Sequence, residues 1–367
     1  TDRGLIPSTQ YRYHACWMRK GVVKDSSGEV IATTMDTTSH NFSWEVDVFG
    51  EYGSYLKGVT IIDNENIWVV GALVIDDSTS RYRGQINYNL AKWNGETWSY
   101  ELVGAAGVTC YDIHYFSEND IWIVAKLIYH WDGNEWVRYH LWYMDILDED
   151  DGGVEYIWAS SPANIFFVGR KGTIVHYDGS TFTKMESGTD SPIIDIWGID
   201  ENHIWATSCT NVLDDDHPDG YESVTYFFNG YEWIRKYVAA PEHHSDYSKT
   251  EIAGYMNSVW AYEDTVYISS HSGLWKESIT TGKGRLDHGP DKRLDGYPFL
   301  VRGTAYNDVY AFTHWAEFLH YNGKDWYQDL SLDYFYVDDV AVKDNMVVMV
   351  GDLRFTCAVI VRGYHLP

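Results

Sequence analysis

The chain has 367 residues, a formal net charge of −27, and 17 Trp and 30 Tyr. So many aromatic residues can fill a large core, which argues against a globally disordered chain. The acidic excess argues against a nucleic-acid partner, because phosphate binding needs a basic face. The longest apolar runs have only the length of a strand, so we expect no membrane insertion of this chain.

The first forty residues differ from everything that follows them. The strings LIPSTQYRYHA and GEVIATT resemble the last two strands of a fibronectin type III domain, and Tyr11 matches the corner tyrosine of that family. The resemblance implies that residues 1–40 are the C-terminal part of such a domain and a linker. An isolated hairpin is marginal in water, so we expect a partner sheet; a flexible linker hairpin is the alternative.

A short string then recurs along residues 41–367: a pair of residues that includes an acidic residue or Asn, then a β-branched residue and an aromatic residue. We call its last position the landmark. Landmarks follow one another at a mean spacing of about 47 residues, which indicates repeated supersecondary units. They are Trp68, Trp122, Phe166, Trp205, Tyr267, Tyr310 and, without an aromatic ring, Val348.

A second string follows most landmarks and predicts a hairpin. It reads WNGETW, WDGNEW, YDGSTF, FNGYEW and YNGKDW, whereas the fifth unit, with SGLWK, lacks it. Asn-Gly and Asp-Gly between alternating apolar segments favour a type I′ turn. Each unit then holds four short strands, which predicts an all-β, seven-bladed β-propeller. A large β-sandwich would not repeat at a fixed period.

The seventh unit ends at the chain terminus without a fourth strand of its own. The string FSWEV at 42–46 resembles the fourth strand of the first unit, TWSYE. We therefore expect the strand of Trp44 to complete the seventh blade and to remove an open sheet edge.

The repeat as a whole resembles that of bacterial secreted or lipid-anchored β-propeller proteins, whose units read D-I-W-x-V-G followed by H-Y-D-G-x-x-W. Residues Ile165–Phe182 match this pattern most closely, and the resemblance covers about residues 41–367. It implies an extracellular location or one in the cell envelope, at the bacterial outer surface. It does not imply a catalytic activity.

Blade topology places the long loops on one face, because links between strands two and three and between blades share one end of the ring. These loops are 72–90, 137–153, 207–224, 234–256 and 280–299. We expect binding on this long-loop face, since the opposite turns are minimal. Its candidate ligand-binding residues are Trp142, Tyr143, His217, His243, Tyr247, Arg285 and Arg293.

Two of the long loops also carry runs of Asp. Carboxylate oxygens are the ligands that Ca²⁺ prefers, which makes Ca²⁺ the one cofactor that the sequence suggests. The spacing departs from the EF-hand pattern, and simple solvated charge is the alternative. The candidate ligands are Asp148, Asp150, Asp214, Asp216 and Asp219.

The first strand of each blade offers a second group of candidates at the ring axis. Large side chains directly follow a β-branched residue in these strands, at Trp158, Trp197, Trp260 and Arg302. Asp112, Asp195 and Asp339 precede it and share the same strand face. Flat rings suit sugar faces, whereas packing between blades is the alternative function of such residues.

No catalytic signature is present: the sequence has no Gly-x-Ser-x-Gly elbow, no HExxH and no phosphate-binding loop. We therefore expect a non-enzymatic extracellular or cell-surface recognition or assembly module that presents an acidic, aromatic propeller face to a protein or a glycan. Two alternatives stay open. One is a carbohydrate-active enzyme of the glycoside hydrolase or lyase kind, and the other is a structural subunit of a surface filament or layer that self-assembles through residues 1–40.

Overall fold

A computed structural model describes residues 8–76, 84–209, 223–239, 252, 254–288, 298–313, 317–354 and 356–366. Within these residues the regular structure is β-strand apart from one short 3-10 turn at Arg170–Gly172. Seven four-stranded antiparallel sheets follow one another along the chain. The predicted all-β, seven-bladed β-propeller is confirmed.

Six blades are built from consecutive strands. Blades one to three contain β6 (Tyr55–Asp63), β7 (Asn66–Asp76), β8 (Gln85–Trp93) and β9 (Trp98–Glu101); β10 (Asp112–Ser117), β11 (Asp120–Val124), β12 (Ile128–Trp131) and β13 (Trp136–Tyr139); and β14 (Val154–Ser161), β15 (Asn164–Gly169), β16 (Ile174–Tyr177) and β17 (Phe182–Met185). Blades four to six contain β18 (Ile193–Asp200), β19 (His203–Cys209), β20 (Ser223–Phe228) and β21 (Trp233–Val238); β22 (Met256–Tyr262), β23 (Thr265–Ser270), β24 (Gly273–Ser278) and β25 (Gly284–His288); and β26 (Pro298–Ala305), β27 (Asp308–Thr313), β28 (Glu317–Tyr321) and β29 (Trp326–Ser331).

The seventh blade closes the ring with a strand from the other end of the chain. Its strands are β30 (Phe335–Lys343), β31 (Met346–Leu353), β32 (Ala358–His365) and β5 (Phe42–Phe49). Strands β32 and β5 pair antiparallel along their whole length, with Gly363 opposite Trp44. The predicted closure by the strand of Trp44 is confirmed.

Aromatic rings fill the space between neighbouring blades. In blade three, Tyr177 at the end of the third strand lies opposite Phe182 at the start of the fourth. Both rings pack on the landmark of the preceding blade, Trp122, at centroid distances of 5.1 and 6.3 Å. We call such a cross-strand couple an aromatic pair. Five blades have one, so much of the aromatic content serves the architecture: Trp93–Trp98, Trp131–Trp136, Tyr177–Phe182, Phe228–Trp233 and Tyr321–Trp326.

The turn that joins each aromatic pair differs from the predicted type I′ turn. Four residues separate Tyr177 from Phe182, and within this turn only Gly179 has a positive φ, of 92°. Asp178 keeps a negative φ because its Oδ1 accepts hydrogen bonds from the backbone N–H groups of Ser180 and Thr181. This side-chain cap favours a four-residue loop over the two-residue turn.

The N-terminal segment forms a long hairpin with a break in the middle. Strand β1 (Gln10–Tyr13) pairs with β4 (Val30–Thr33), and β2 (Cys16–Arg19) pairs with β3 (Val22–Ser26). The segment after it is fastened to blade six, where Thr38 Oγ1 donates a hydrogen bond of 2.6 Å to the carbonyl of Asn307. None of the described segments forms a helix long and apolar enough to cross a bilayer.

Candidate functional site

The first strands of the blades surround a cavity of about 550 Å³ at the ring axis. We call it the axial cavity. It receives most of the side chains that the strand pattern places at the axis: Thr60, His114, Trp158, Trp197, Arg302 and Ala341, with Asp112, Asp195 and Asp339 beside them. Trp260 lies elsewhere: it is buried between blades five and six, where its ring contacts those of Tyr262 and Tyr267.

The three axial carboxylates join each blade to the next one. Each accepts a hydrogen bond from a backbone N–H in the first strand of the following blade, which satisfies a donor that the sheet leaves unpaired. The bonds run from Ile157 to Asp112 (2.7 Å), from Val259 to Asp195 (2.9 Å) and from Val59 to Asp339 (3.0 Å). These residues therefore hold the ring together.

Arg302 is also engaged in this framework. Its guanidinium forms a two-pronged ion pair with Asp195, with N–O distances of 2.8 and 3.1 Å. It also donates to Ser258 Oγ and lies 5.2 Å from the ring of Trp197. Burial lowers the pKa of Arg302, but the charge and hydrogen bonds of Asp195 outweigh that effect and raise it. Arg302, a predicted ligand-binding residue, is therefore paired with a carboxylate of the protein itself.

Asp112 and Asp339 give the axial cavity an acidic character. Burial, and then the negative charge of Asp339, hold the pKa of Asp112 well above its ordinary value. Burial likewise raises the pKa of Asp339 to about 6. Because buried like charges disfavour joint ionisation, this cavity is better suited to a cationic or neutral group than to an anion.

One charged couple in the axial cavity was not predicted from the sequence. Lys57 Nζ donates to Asp338 Oδ1 at 2.5 Å, and both residues line the cavity. Strict strand alternation would send Asp338 to the face opposite Asp339. A β-bulge between Val337 and Asp339 shifts the register and brings both carboxylates to the axis. Only a signal for that bulge would have identified Asp338.

The loop 137–153 on the long-loop face is compact. Leu141 and Leu147 are buried in the core between blades two and three, and the indole of Trp142 donates to the carbonyl of Asp148 at 3.0 Å. Tyr143, by contrast, is 84 % exposed and stacks on His140 at 3.7 Å. Of the two predicted aromatic residues, Trp142 therefore anchors the loop and Tyr143 presents a free ring face.

Acidic residues of this loop take part in hydrogen bonds, but among the residues that the structure describes only Asp151 does so through its carboxylate. The side chain of Asp151 accepts from the backbone N–H of Asp148 and from Lys184, and Lys171 donates to the carbonyl of Asp150. Within the described ranges, no group of three or more His, Cys, Asp and Glu is placed to hold a metal ion. Calcium binding stays a prediction, because its remaining ligands lie outside those ranges: Asp214, Asp216 and Asp219.

The other loop candidates are only partly described. Arg285 lies on β25 and donates to Asp287 at 3.0 Å, so its nearest anionic partner is a neighbour on the same strand. The predicted residues that lie outside the described part of the chain are His217, His243, Tyr247 and Arg293.

Comparisons with known proteins agree on the fold. Neither a protein-family model nor a curated protein matches this chain. A structure of YCF48 bound to D1 peptide is similar over 90% of this chain and 98% of that one, with 14% identity and a TM-score of 0.62. The WD40 β-propeller domain of Doa1 is similar over 87% of this chain and 97% of that domain, with 10% identity and a TM-score of 0.56.

A third similar structure is an enzyme in a catalytically inactive form. Virginiamycin B lyase from Staphylococcus aureus, with quinupristin, is similar over 88% of this chain and 99% of that one, with 11% identity and a TM-score of 0.56. At such identities the likeness concerns the fold alone. The chain is a seven-bladed β-propeller whose ring is closed by its N-terminal strand β5.

Proposed function

We propose that this propeller is a non-enzymatic recognition module, located outside the cell or on the bacterial cell surface, that binds a protein partner on its long-loop face. The observation that carries the proposal is the loop 137–153, which is rigidly anchored and yet exposes an aromatic ring. Exposed tyrosines on ordered loops are common anchors of protein recognition, because they supply contact area at a low entropic cost.

The anchoring of the loop lowers the cost of binding. Leu141 and Leu147 fix the loop to the core, so little backbone freedom is lost when a partner docks. The stack of Tyr143 on His140 holds the exposed ring in one orientation. Such preorganisation is typical of binding surfaces rather than of linkers.

The charge of this surface indicates the chemistry of the partner. The exposed side chains beside Tyr143 include Asp145, Asp148, Glu149 and Asp150, and the whole chain carries a net charge of −27. Electrostatic complementarity favours a basic partner segment. Binding of a peptide by a similar propeller, YCF48 with D1 peptide, supports a peptide partner. A glycan that stacks on Tyr143 is the alternative ligand.

A selection experiment tests this proposal. The intact chain is exposed to a displayed random-peptide library and to a glycan array, and the selected ligands are titrated against variants. We expect lysine- and arginine-rich peptides whose affinity falls about tenfold or more with Tyr143→Ala. Tyr231→Ala is the matched control, because Tyr231 is 88 % exposed on a turn of the opposite face. Equal loss with both variants, or no loss with Tyr143→Ala, would contradict the proposal.

A second proposal concerns the hairpin and self-assembly. We propose that residues 1–40 are the end of a fibronectin type III-like sheet that packs on further strands, either of that domain or of a second copy. Its support is a set of exposed apolar side chains too large for a solvated hairpin: Trp17, Met18, Val22, Val23, Val30 and Ile31. The structural-subunit alternative depends on the same surface.

Light scattering decides whether the hairpin drives self-association. We compare the full chain with a variant that lacks residues 1–34, over a wide range of concentrations. Self-assembly through the hairpin predicts oligomers of the full chain alone. A full chain that is monomeric at every concentration would remove the structural-subunit proposal and leave the recognition proposal intact.

A further inference from the structure

Blade five interrupts the pattern of aromatic pairs. At the register position where five other blades place two rings, it has Glu277 on β24 opposite Gly284 on β25. In blade seven the same position holds Gly363 opposite Trp44, so one ring still fills it. At this position blade five alone, among the seven, has a carboxylate and no ring. The ring of Trp275, two residues earlier on β24, packs beside Trp205 and covers Gly284.

The missing rings leave a cavity between blades four and five. It measures about 240 Å³, and its walls are formed by His203, Trp205, Phe227, Lys236, Tyr237, Val266, Glu277 and Ile279. Trp205 is the landmark on which an aromatic pair of blade five would have packed. We call this space the Glu277 cavity. Its residues belong neither to the axial cavity nor to the loop 137–153, so it is separate from the proposed binding face.

The carboxylate in this cavity is incompletely paired. Glu277 is only 5 % exposed, and its Oε1 accepts a hydrogen bond from the hydroxyl of Tyr237. Within the described part of the chain, Tyr237 is the one side chain that donates to this carboxylate, which forms no ion pair. Its oxygens are not among the atoms that are fully buried without a partner, since Glu277 lines the cavity. Burial, and then the hydrogen bond and charge of Glu277, raise the pKa of Tyr237. A buried carboxylate of this kind is costly unless a cation pairs with it.

We propose that the Glu277 cavity binds an alkylammonium or guanidinium group. The carboxylate supplies the charge, and the rings of Trp205, Phe227 and Tyr237 supply faces that attract cations. The volume lies below that of a site for a drug-sized ligand, so the occupant is a single cationic group. It comes either from a free organic amine or from a Lys or Arg side chain of a protein.

Two basic residues of the chain itself line the cavity, of which His203 is hydrogen-bonded to Asp200. Lys236 is exposed, and its Nζ is 5.7 Å from the centroid of the Tyr237 ring. Lys236 forms no ion pair with Glu277, so it does not supply the cation that this carboxylate lacks. Its positive charge at the rim disfavours the entry of another cation. Lys236→Met is therefore expected to leave the affinity unchanged or to raise it.

Calorimetric titration of the intact chain tests the proposal. The probes are n-butylammonium and n-propylguanidinium, each up to about 10 mM because small cations bind weakly, with n-butanol as the neutral control. We expect saturable binding of the cations only, weakened about tenfold or more by Glu277→Gln. Glu277→Tyr should abolish binding, because it restores a ring like that of Tyr177.

The matched control is Glu317→Gln on β28. Glu317 is also 5 % exposed on a third strand, but Thr313 and Gln328 already donate to its two oxygens. Glu317→Gln should keep full binding. Circular dichroism checks that Glu277→Gln and Glu317→Gln are both folded. A lysine peptide compared with its Nε-acetyl form shows whether a protein side chain can occupy the cavity. The proposal is overturned if neither cation binds, or if Glu277→Gln binds them as well as the parent chain.

Discussion

A chain that begins at residue 50 should fail to form a stable monomeric ring, although six blades stay complete. It loses β5, which pairs with β32 over eight positions. The exposed edge of β32 can then pair with other chains. The guanidinium of Arg362, only 4% exposed, also loses Asp47, its partner at 2.7 Å. We expect aggregation or a lost cooperative melt, measured by light scattering and circular dichroism.

Two controls make this result specific to closure. A chain that begins at residue 35 keeps β5 and the bond between Thr38 and Asn307, so it should melt like the full chain. A synthetic peptide of residues 36–49, added to the chain that begins at residue 50, should restore a folded monomeric complex. The closure model is wrong if that truncated chain melts cooperatively as a monomer at the temperature of the full chain.

The ring was predictable because its determinants are local and repeated. Each landmark and each Asn-Gly or Asp-Gly string reports one strand or one turn, and the seven landmarks and five turn strings reinforce one another. Closure was predictable for the same reason, since the strand of Trp44 resembles other fourth strands. The turn type was not, because the capping by Asp178 depends on side-chain geometry that the Asp-Gly pair does not reveal.

The candidate sites were predictable only in part, because they combine residues from different blades. Strand alternation placed Trp158, Trp197 and Arg302 at the axis, yet the pairing of Arg302 with Asp195 spans 107 positions and depends on the curvature of the ring. The degenerate fifth unit was visible in the sequence. The cavity that the lost ring leaves, with Glu277 beside Trp205, could not be predicted because it depends on how two blades pack together.

Asp195→Asn should lower the free energy of unfolding by about 3–5 kcal/mol, because it leaves a buried guanidinium without its counterion. The side chains of Arg302 and Asp195 are 11% and 7% exposed. The amide oxygen can still accept from the backbone of Val259, so the loss reports the ion pair. Urea unfolding at neutral pH measures it. Combining Asp195→Asn with Arg302→Met removes both charges, keeps an acceptor for Val259 and should recover most of the stability.

Asp339→Asn is the matched substitution. Unlike Asp195→Asn, it is not expected to lower the free energy of unfolding at pH 7. Asp339 occupies the equivalent position in blade seven and accepts from Val59, but it has no ion-pair partner among the described residues. Its pKa is raised from 3.8 to about 6, so the folded state holds a proton that the unfolded state has released. This carboxyl group therefore contributes a loss of stability as the pH rises through this interval, by at most about 1.4 kcal/mol per pH unit. Asp339→Asn should flatten that decline and be no less stable than the parent at pH 7. Equal destabilisation by both Asn variants would contradict the distinction between the paired Asp195 and the unpaired Asp339.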